Sequence, residues 1–231
     1  MGKWPKKLPE LTEEQKRISD DFMNEHLHAV QTKWYGFVEK FNHGYPLRSF
    51  QPGARTLEVG AGIGAHLAYE QLSAQEYYAV ELLPDLVEQL KQKYPSVHAM
   101  QSDIQKGLPF PEAHFDRVLA VHVLEHLPDL PAAIKEIRRV LKPDGVLSIV
   151  IPCEGGLATK MARAISARPH FEKRYGQSYD FFINSQHINM PHEIIEELEP
   201  YFTVTHRSWY PLLIPSVQLN LFIGMILRPK T

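Results

Sequence analysis

The chain has 231 residues, of which 44% are hydrophobic and 23% are charged, and its formal net charge is -2. This length suits one large domain, or one domain with a modest appendage, and the apolar fraction is sufficient for a buried core. The small net charge gives no global argument for binding nucleic acid or an anionic membrane.

Cysteine usage and the apolar stretches limit the cellular setting. The single cysteine, Cys153, excludes an intramolecular disulfide and favours a reducing cytoplasm. The N-terminal segment lacks an apolar core of signal-peptide length. The most apolar stretch, Leu212 to Leu227, is interrupted by a proline and two polar residues. We therefore expect a buried strand there and no membrane span.

The first 50 residues predict a helical arm that precedes the main domain. Thr12 and Gln15 have the spacing of a capping box, and apolar residues then follow a helical stripe. Gly36 and Gly44 indicate that the arm is broken into pieces. Its apolar face must cover either the domain edge or the mouth of a site, as packing groups or as a lid. The stripe and its aromatic neighbours comprise Ile18, Phe22, Leu27, Val30, Trp34, Tyr35, Phe37 and Phe41.

From residue 55 to residue 153, short apolar runs alternate with amphipathic segments. Apolar runs without strict polar alternation, separated by helices, indicate a parallel sheet that is buried on both faces. We therefore predict a doubly wound, Rossmann-like α/β domain over residues 51–231. Its predicted strands are Thr56–Val59, Tyr77–Glu81, Val97–Met100, Phe115–Val123 and Val146–Ile151, and its predicted helices are Ala65–Leu72, Pro84–Tyr94 and Leu130–Leu141.

The tail contributes the last two predicted strands. A polar, glycine-containing stretch extends to about residue 189, and a short helix is predicted at Pro191–Leu198. The β-like runs Tyr201–Tyr210 and Gln218–Arg228 follow with no helix between them, so we expect them to pair as an antiparallel hairpin at the sheet edge. The predicted sheet is thus seven-stranded and mostly parallel.

The first strand-to-helix turn reads EVGAGIG over residues 58–64. Its glycines permit a tight turn and let backbone N–H groups approach a ligand, to which the next helix presents its positive end. Gly60, Gly62 and Ala65 also satisfy the Gly-x-Gly-x-x-Ala pattern of NAD enzymes. The turn therefore indicates a nucleotide cofactor without identifying it.

Acidic residues end three successive predicted strands. Glu81 follows the glycine turn by about twenty residues, where a carboxylate can accept hydrogen bonds from ribose hydroxyls. Asp103 can accept from an adenine amino group while Ile104 packs on the ring, although a lone aspartate there is also typical of a turn or cap. With Glu58 they line the carboxyl edge of the sheet, where ligands bind in this architecture.

Four segments resemble a known family in their order and spacing. They read LEVGAGIG, YYAVEL, SDIQKGLPFPEAHFDRVLAVHVLEHL and EIRRVLKPDGVLSIVIP. They are similar to the class I S-adenosylmethionine-dependent methyltransferases, in particular the type-11 methyltransferase domain. The tail segment QHINMPHEIIEELEPYF resembles the stretch before that family's final hairpin. The resemblance implies a transferase of class EC 2.1.1.-, with S-adenosylmethionine as cofactor and S-adenosylhomocysteine as product.

The resemblance also implies residue roles. The glycine loop would surround the methionine portion and the ribose, the second strand end would hold the ribose hydroxyls, the third would contact adenine, and the fourth would lie beside the sulfonium. The implied cofactor-binding residues are Glu58, Gly60, Ala61, Gly62, Gly64, Glu81, Leu82, Asp103, Ile104, His122 and Val123. Residues 1–50 and about 154–189 lie outside its detail and are expected to select the substrate.

Histidines are the candidates for acid–base chemistry. His122, His126 and His187 could each act as a base, although a base is optional if the acceptor is acidic or a free amine. The His-x-x-x-His spacing at 122 and 126, with Glu125, would suit a metal on a helix face. Because strand-to-turn geometry is expected there, we predict no metal site.

The remaining reactive and basic groups favour structural roles. Cys153 is expected to be a small core residue. The basic and aromatic residues 168–175 are expected to form a solvated loop, with contact to an acidic or phosphorylated substrate as the alternative.

The sequence thus predicts methyl transfer to a nucleophilic atom of a small-molecule acceptor, without nucleic acid, and leaves monomer or homodimer open. A non-catalytic member of the fold that binds cofactor or a partner is one alternative. An NAD-dependent oxidoreductase, supported only by the glycine loop, is the other.

Overall fold

The computed structural model describes residues 3–29 and 36–230. Its strands are β1 (Arg55–Val59), β2 (Glu76–Glu81), β3 (His98–Gln101), β4 (Phe115–Val121), β5 (Leu141–Pro152), β6 (Phe202–Tyr210) and β7 (Phe222–Pro229). Its α-helices are α1 (Glu13–Ala29), α2 (Gly36–Gly44), α3 (Pro84–Lys93), α4 (Leu130–Val140), α5 (Leu157–Ile165), α6 (Ala167–Tyr175), α7 (Tyr179–Gln186) and α8 (Pro191–Leu198).

One mixed sheet has the strand order β3-β2-β1-β4-β5-β7-β6. The first five strands are parallel, whereas β7 is antiparallel to both β5 and β6. The predicted seven-stranded, mostly parallel sheet with an antiparallel C-terminal hairpin is confirmed. The strand order reverses between β1 and β4, and in open α/β sheets ligands bind at the carboxyl ends of such strands.

Three local predictions were wrong. The segment Ala65–Leu72 forms 3₁₀ turns at His66–Tyr69 and Leu72–Ala74 instead of an α-helix. Its His66 and Glu70 side chains are pulled into a buried ion-pair cluster, which overrides helix propensity. Residues 168–175, which were expected to form a solvated loop, lie within α6.

The third wrong prediction concerns Leu212–Leu227. Only its end, from Phe222, is a strand, and the leucines at the start of the stretch are exposed in the β6–β7 loop. None of the helices in the described part of the chain combines the length and apolarity that a membrane span requires.

The N-terminal arm is attached in two pieces. Thr12 and Gln15 make the predicted reciprocal cap of α1, with N···O distances of 3.0 and 3.2 Å. Phe22 of α1 packs edge-on against Phe171 of α6 and Phe182 of α7, each at 5.0 Å between ring centroids. The arm's first piece therefore covers the helices that follow β5.

The second piece packs on the sheet. The ring of Tyr45 lies over Gly224 of β7 so closely that a Cβ there would be 2.6 Å from it. Its hydroxyl is 2.9 Å from Nδ1 of His206 on β6. Phe37 is exposed. The side chains of Leu27, Val30, Trp34 and Tyr35 lie outside the described residues, so their role as lid or packing groups stays a prediction.

A buried ion-pair cluster joins β4 to the glycine-loop side of the sheet. Arg117 is fully buried, and its guanidinium lies 2.8 Å from a carboxylate oxygen of Glu70. It also donates to the hydroxyl of Ser49 at 2.9 Å and to the carbonyl of Pro46 at 2.7 Å. His66 approaches the same carboxylate at 2.8 Å. The cluster therefore ties the second piece of the arm to the sheet.

The carboxylates of Glu70 and Glu154 lead us to expect that the folded state loses stability in acid. Burial would raise the pKa of Glu70, but hydrogen bonds from His66 and Arg117 lower it from 4.5 to about 2. Burial would also raise the pKa of Glu154, but hydrogen bonds from His187 and Arg163 lower it to about 2. Because both native pKa values are depressed, their contribution to stability is present above the unfolded pKa and is lost as pH falls toward 2.

We expect the free energy of unfolding, measured by urea titration, to fall steeply as pH drops from about 5 toward 2. Glu70→Gln should flatten this decline, because the group that titrates is removed. Glu199→Gln, at an exposed position of the chain, serves as the control. An unchanged slope in Glu70→Gln would contradict the assignment.

Candidate functional site

The glycine turn after β1 is held open toward the carboxyl edge of the sheet. Gly60 and Gly62 have φ values of +67° and +55°, which L side chains rarely adopt. A Cβ on Gly60 would lie 2.5 Å from the side chain of Val123, so the turn packs tightly on the β4 loop. Among the described residues, no atom lies within 4 Å of a Cβ built on Gly62. The backbone at Gly62 is therefore accessible to a ligand.

Glu81 fixes this turn from the end of β2. One carboxylate oxygen accepts from the N–H of Gly62 at 2.9 Å, and the other accepts from the N–H groups of Leu82 and Leu83 at 2.7 and 3.1 Å. Each carboxylate oxygen can accept two hydrogen bonds. The oxygen that serves Gly62 therefore has capacity for a ligand hydroxyl.

Glu58 and Ala61, at the start and in the middle of the glycine-turn segment, are by contrast buried. The hydroxyl of Tyr77 donates to Glu58 at 2.9 Å, and burial raises the pKa of that carboxyl. Both residues lie at the predicted edge, but the side chain of Glu58 is occupied from the core side. A direct role for it at a ligand stays a prediction.

Asp103 follows β3 and lies beside β2. The N–H of the preceding residue, Ser102, donates to the carbonyl of Glu81 at 3.0 Å. The Asp103 carboxylate accepts from the backbone N–H of Gln105 at 3.0 Å and caps a 3₁₀ turn, while Ile104 is buried. The cap expected as the alternative is therefore present, at the same edge as Glu81.

His122 stands immediately after β4, which ends at Val121. Its backbone is left-handed, with φ +55°, and its N–H donates to the carbonyl of Val150 at 2.9 Å. This conformation is uncommon for a residue other than glycine and turns the chain sharply. Its Nδ1 lies 3.1 Å from the carboxylate of Glu125, which is fully buried in the following 3₁₀ turn. Val123, between them, contacts Gly60.

The charge of Glu125 is maintained despite its burial. Burial would raise its pKa, but the hydrogen bond from His122 and the neighbouring imidazoles lower it to about 2. One of its oxygens, Oε2, has no hydrogen-bond partner within the described part of the chain. A buried carboxylate with an unused oxygen requires an explanation.

His126 and His187 meet beside Glu125. Their ring centroids are 4.9 Å apart, with planes at 85°. The Nδ1 of His126 lies 2.7 Å from the carbonyl of Gln186, and burial lowers the pKa of this imidazole. As expected, residues 122–126 form a turn after the strand and not a helix face. The third side chain of this group, His187, comes from the residue that follows α7.

Two residues that sequence reasoning missed complete this region. Arg163 of α5 forms a two-point ion pair with Glu154, at 2.5 and 2.7 Å. Glu154 in turn lies 2.6 Å from Nδ1 of His187. Nothing in the local sequence pattern connects these three residues.

A third missed residue is Asn189, which is fully buried. Its side-chain amide donates to the carbonyls of Leu124 and Leu127 at 2.8 and 2.7 Å. It thereby fixes the turn that carries Glu125 and His126. Its place within the segment that resembles the family's tail was the only available signal.

Comparison with known proteins shows which family the central part of the chain resembles. Residues 57–149 match the model of a methyltransferase domain family. A malonyl-[acyl-carrier protein] O-methyltransferase of Serratia marcescens is 29% identical over 109 residues, which are 47% of this chain and 42% of that protein. A probable S-adenosylmethionine-dependent methyltransferase of Mycobacterium tuberculosis is 33% identical over 96 residues, 42% of this chain and 35% of that protein. Residues 57–149 therefore match a methyltransferase domain and are similar to S-adenosylmethionine-dependent enzymes.

A solved structure extends the likeness of the methyltransferase domain to nearly the whole chain. The 1,6-didemethyltoxoflavin-N1-methyltransferase of Burkholderia thailandensis, bound to 1,6-didemethyltoxoflavin and S-adenosylhomocysteine, has a TM-score of 0.61 and 17% identity. The alignment covers 98% of this chain and 94% of that one. At this identity the likeness shows the class I methyltransferase fold. The chain spans less than half the length of the two curated relatives named above.

The matched region of the methyltransferase domain does not contain the whole candidate site. The glycine turn, Glu81, Asp103 and His122 lie inside residues 57–149, whereas Glu154 and His187 lie beyond it. The open backbone at Gly62 and the unused acceptor capacity of Glu81 fit the adenosyl cofactor of this domain.

Proposed function

We propose that the chain transfers a methyl group from S-adenosylmethionine to a nucleophilic atom of a small-molecule acceptor. The observation that carries the proposal is the clamped glycine turn at the strand-order reversal, where Glu81 holds Gly62 and leaves its outer side open. Such a turn admits a ligand to backbone N–H groups at the carboxyl edge of the sheet.

The cofactor, when bound, supplies a methyl group already activated on a sulfonium. The task of the protein is then alignment and exclusion of water. In this proposal Glu81 accepts the ribose hydroxyls, Asp103 and Ile104 contact adenine, and the turn at His122 and Val123 faces the sulfonium side. Orientation alone can contribute roughly 7–11 kcal/mol in favourable cases.

Among the histidines, the arrangement favours His122 as proton acceptor. Its Nδ1 is directed at the anionic Glu125, 3.1 Å away, which orients the ring and leaves Nε2 as the basic nitrogen. Nε2 has no hydrogen-bond partner within the described residues. His126 and His187 likewise have Nδ1 engaged, by Gln186 and Glu154, so His122 is distinguished by its position directly after β4.

An apolar rim supports an acceptor with an apolar portion. Helix α5 leaves the carboxyl edge directly after β5, and it exposes an apolar stripe at i, i+4 and i+8. The β6–β7 loop meets the start of α5 through a hydrogen bond of 2.9 Å between Ala158 N–H and Gln218 carbonyl. The exposed apolar residues of this rim are Leu157, Met161, Ile165, Leu212, Leu213 and Ile214.

The buried free thiol of Cys153 supports a reducing, cytoplasmic setting.

Calorimetric titration with S-adenosylmethionine and S-adenosylhomocysteine, with NAD as the control ligand, tests the proposal. We expect micromolar binding of both adenosyl compounds and none of NAD. Transfer of labelled methyl groups to an apolar metabolite extract should follow. NAD binding would support the oxidoreductase alternative, and adenosyl binding without any transfer would support a non-catalytic member of the fold.

A further inference from the structure

Three side chains converge at the carboxyl edge in a way that methyl transfer does not require. One ligand atom from each of Glu125, His126 and His187 lies within 4.8 Å of the other two. His126 Nε2 is 3.9 Å from Oε1 of Glu125, the oxygen that His122 also contacts. Two imidazoles and one carboxylate are the protein ligands of many open zinc sites.

The hydrogen bonds around the two imidazoles fix which nitrogen is free. A carbonyl oxygen only accepts, so His126 must carry its proton on Nδ1, 2.7 Å from the carbonyl of Gln186. His187 Nδ1 lies 2.6 Å from Glu154 and 3.2 Å from a guanidinium nitrogen of Arg163. The carboxylate is the shorter contact and only accepts, so it places the His187 proton on Nδ1. Both Nε2 atoms are then left with lone pairs. Metal-binding histidines typically donate their other ring N–H to a carbonyl or a carboxylate in this manner.

The charges suit a divalent cation. Arg163 neutralises Glu154 through two ion-pair contacts, so that carboxylate acts as a fixed partner of His187. Glu125 remains as a buried anion whose Oε2 has no hydrogen-bond partner within the described residues. A cation bound to the carboxylate would add to the single contact from His122, because a buried charge that is incompletely paired is costly.

We propose that Glu125, His126 and His187 bind one divalent transition-metal ion of the zinc type. Filled sites have metal–ligand bonds of about 2 Å, which place ligand atoms roughly 3–3.5 Å apart, so modest side-chain rotation closes the set. The side chains of His126 and His187 are 33% and 19% exposed, so the ion keeps a side open to solvent. That side can take an oxygen of the acceptor, next to His122 at the end of β4.

This site differs from the one that the sequence spacing suggested and for which we expected no metal. His122 is held by the Glu125 carboxylate, and His187, which lies far along the chain, supplies the third ligand instead. The inference goes beyond the proposed methyl transfer, and its test requires neither cofactor nor acceptor.

Equilibrium dialysis of the chelator-stripped full chain against Zn²⁺ tests the proposal. We expect one tightly bound equivalent, with affinity reduced by more than about 100-fold in His126→Ala, His187→Ala and Glu125→Ala. Glu154→Gln should weaken binding by about 10- to 100-fold, because it alters the partner that orients His187. His192→Ala, at an exposed histidine of α8, should bind as the unaltered chain does.

Absence of Zn²⁺ binding by the unaltered chain would overturn the proposal, as would equal affinity in the three ligand variants. If a variant fails to fold, the visible absorption spectrum of Co²⁺ bound to the unaltered chain tests the proposal instead. Intense visible d–d absorption, as in a four- or five-coordinate site, supports the assignment. A weak spectrum like that of hydrated Co²⁺ contradicts it.

Discussion

Glu81→Ala is expected to weaken binding of S-adenosylhomocysteine by about 10- to 150-fold. The range corresponds to about 1.5–3 kcal/mol, which is typical of hydrogen bonds to a charged group. The loss has two sources in this structure. In the proposed cofactor site the ribose would lose its acceptor, and the N–H of Gly62 would lose the oxygen that holds the turn in place. Calorimetric titration measures the change directly.

Glu76→Ala is the matched control, because Glu76 begins the same strand and its carboxylate is exposed beside Arg55. Its affinity for the cofactor product should equal that of the unaltered chain. Glu81→Gln should give an intermediate affinity, since it keeps one acceptor oxygen but removes the charge. Wild-type affinity in Glu81→Ala would exclude Glu81 from the cofactor site.

Arg117→Met is expected to reduce the free energy of unfolding by about 3–5 kcal/mol. The substitution preserves much of the side-chain length but leaves the Glu70 carboxylate buried without its cation, 2.8 Å from where the guanidinium stood. Breaking a buried ion pair from one side typically has an effect of this size. Urea titration monitored by circular dichroism gives the measurement, provided that the m-value is unchanged.

Arg55→Met provides the comparison, because the pair between Arg55 and Glu76 is largely exposed, and exposed pairs contribute about 0–1 kcal/mol. Adding Glu70→Gln to Arg117→Met should recover part of the loss, since it removes the uncompensated charge. A double variant that is as unstable as the sum of the two single variants would show that the two residues are not coupled.

The architecture could be predicted because its signals are local. Buried parallel strands appear as unbroken apolar runs, and the helices between them have their own periodicity and proline starts. The carboxyl ends of parallel strands share one edge, so Glu58, Glu81 and Asp103 were expected together, and the family resemblance added His122. The antiparallel hairpin followed from the absence of a helix between two β-like runs.

Two of the wrong local predictions concern segments whose charged side chains form ion pairs with other parts of the fold. His66 and Glu70 lie in a segment with helical spacing, but their side chains are drawn to Arg117 on β4, and the chain forms 3₁₀ turns instead. Residues 168–175 contain enough charge to suggest a loop. In the fold they form α6, with Arg168 paired to Asp180 and Arg174 to Asp21. Long-range pairing thus overrides local propensity.

The sequence by itself determined the α/β class, the glycine turn and the row of acidic strand ends, because each depends on residues close together in the chain. Only the tertiary structure decided which side chains meet across that edge. Glu125 and His126 come from one turn, His187 from the end of α7, and Glu154 from the end of β5. These segments approach one another because apolar faces pack, and packing is a property of the whole fold that no local pattern records.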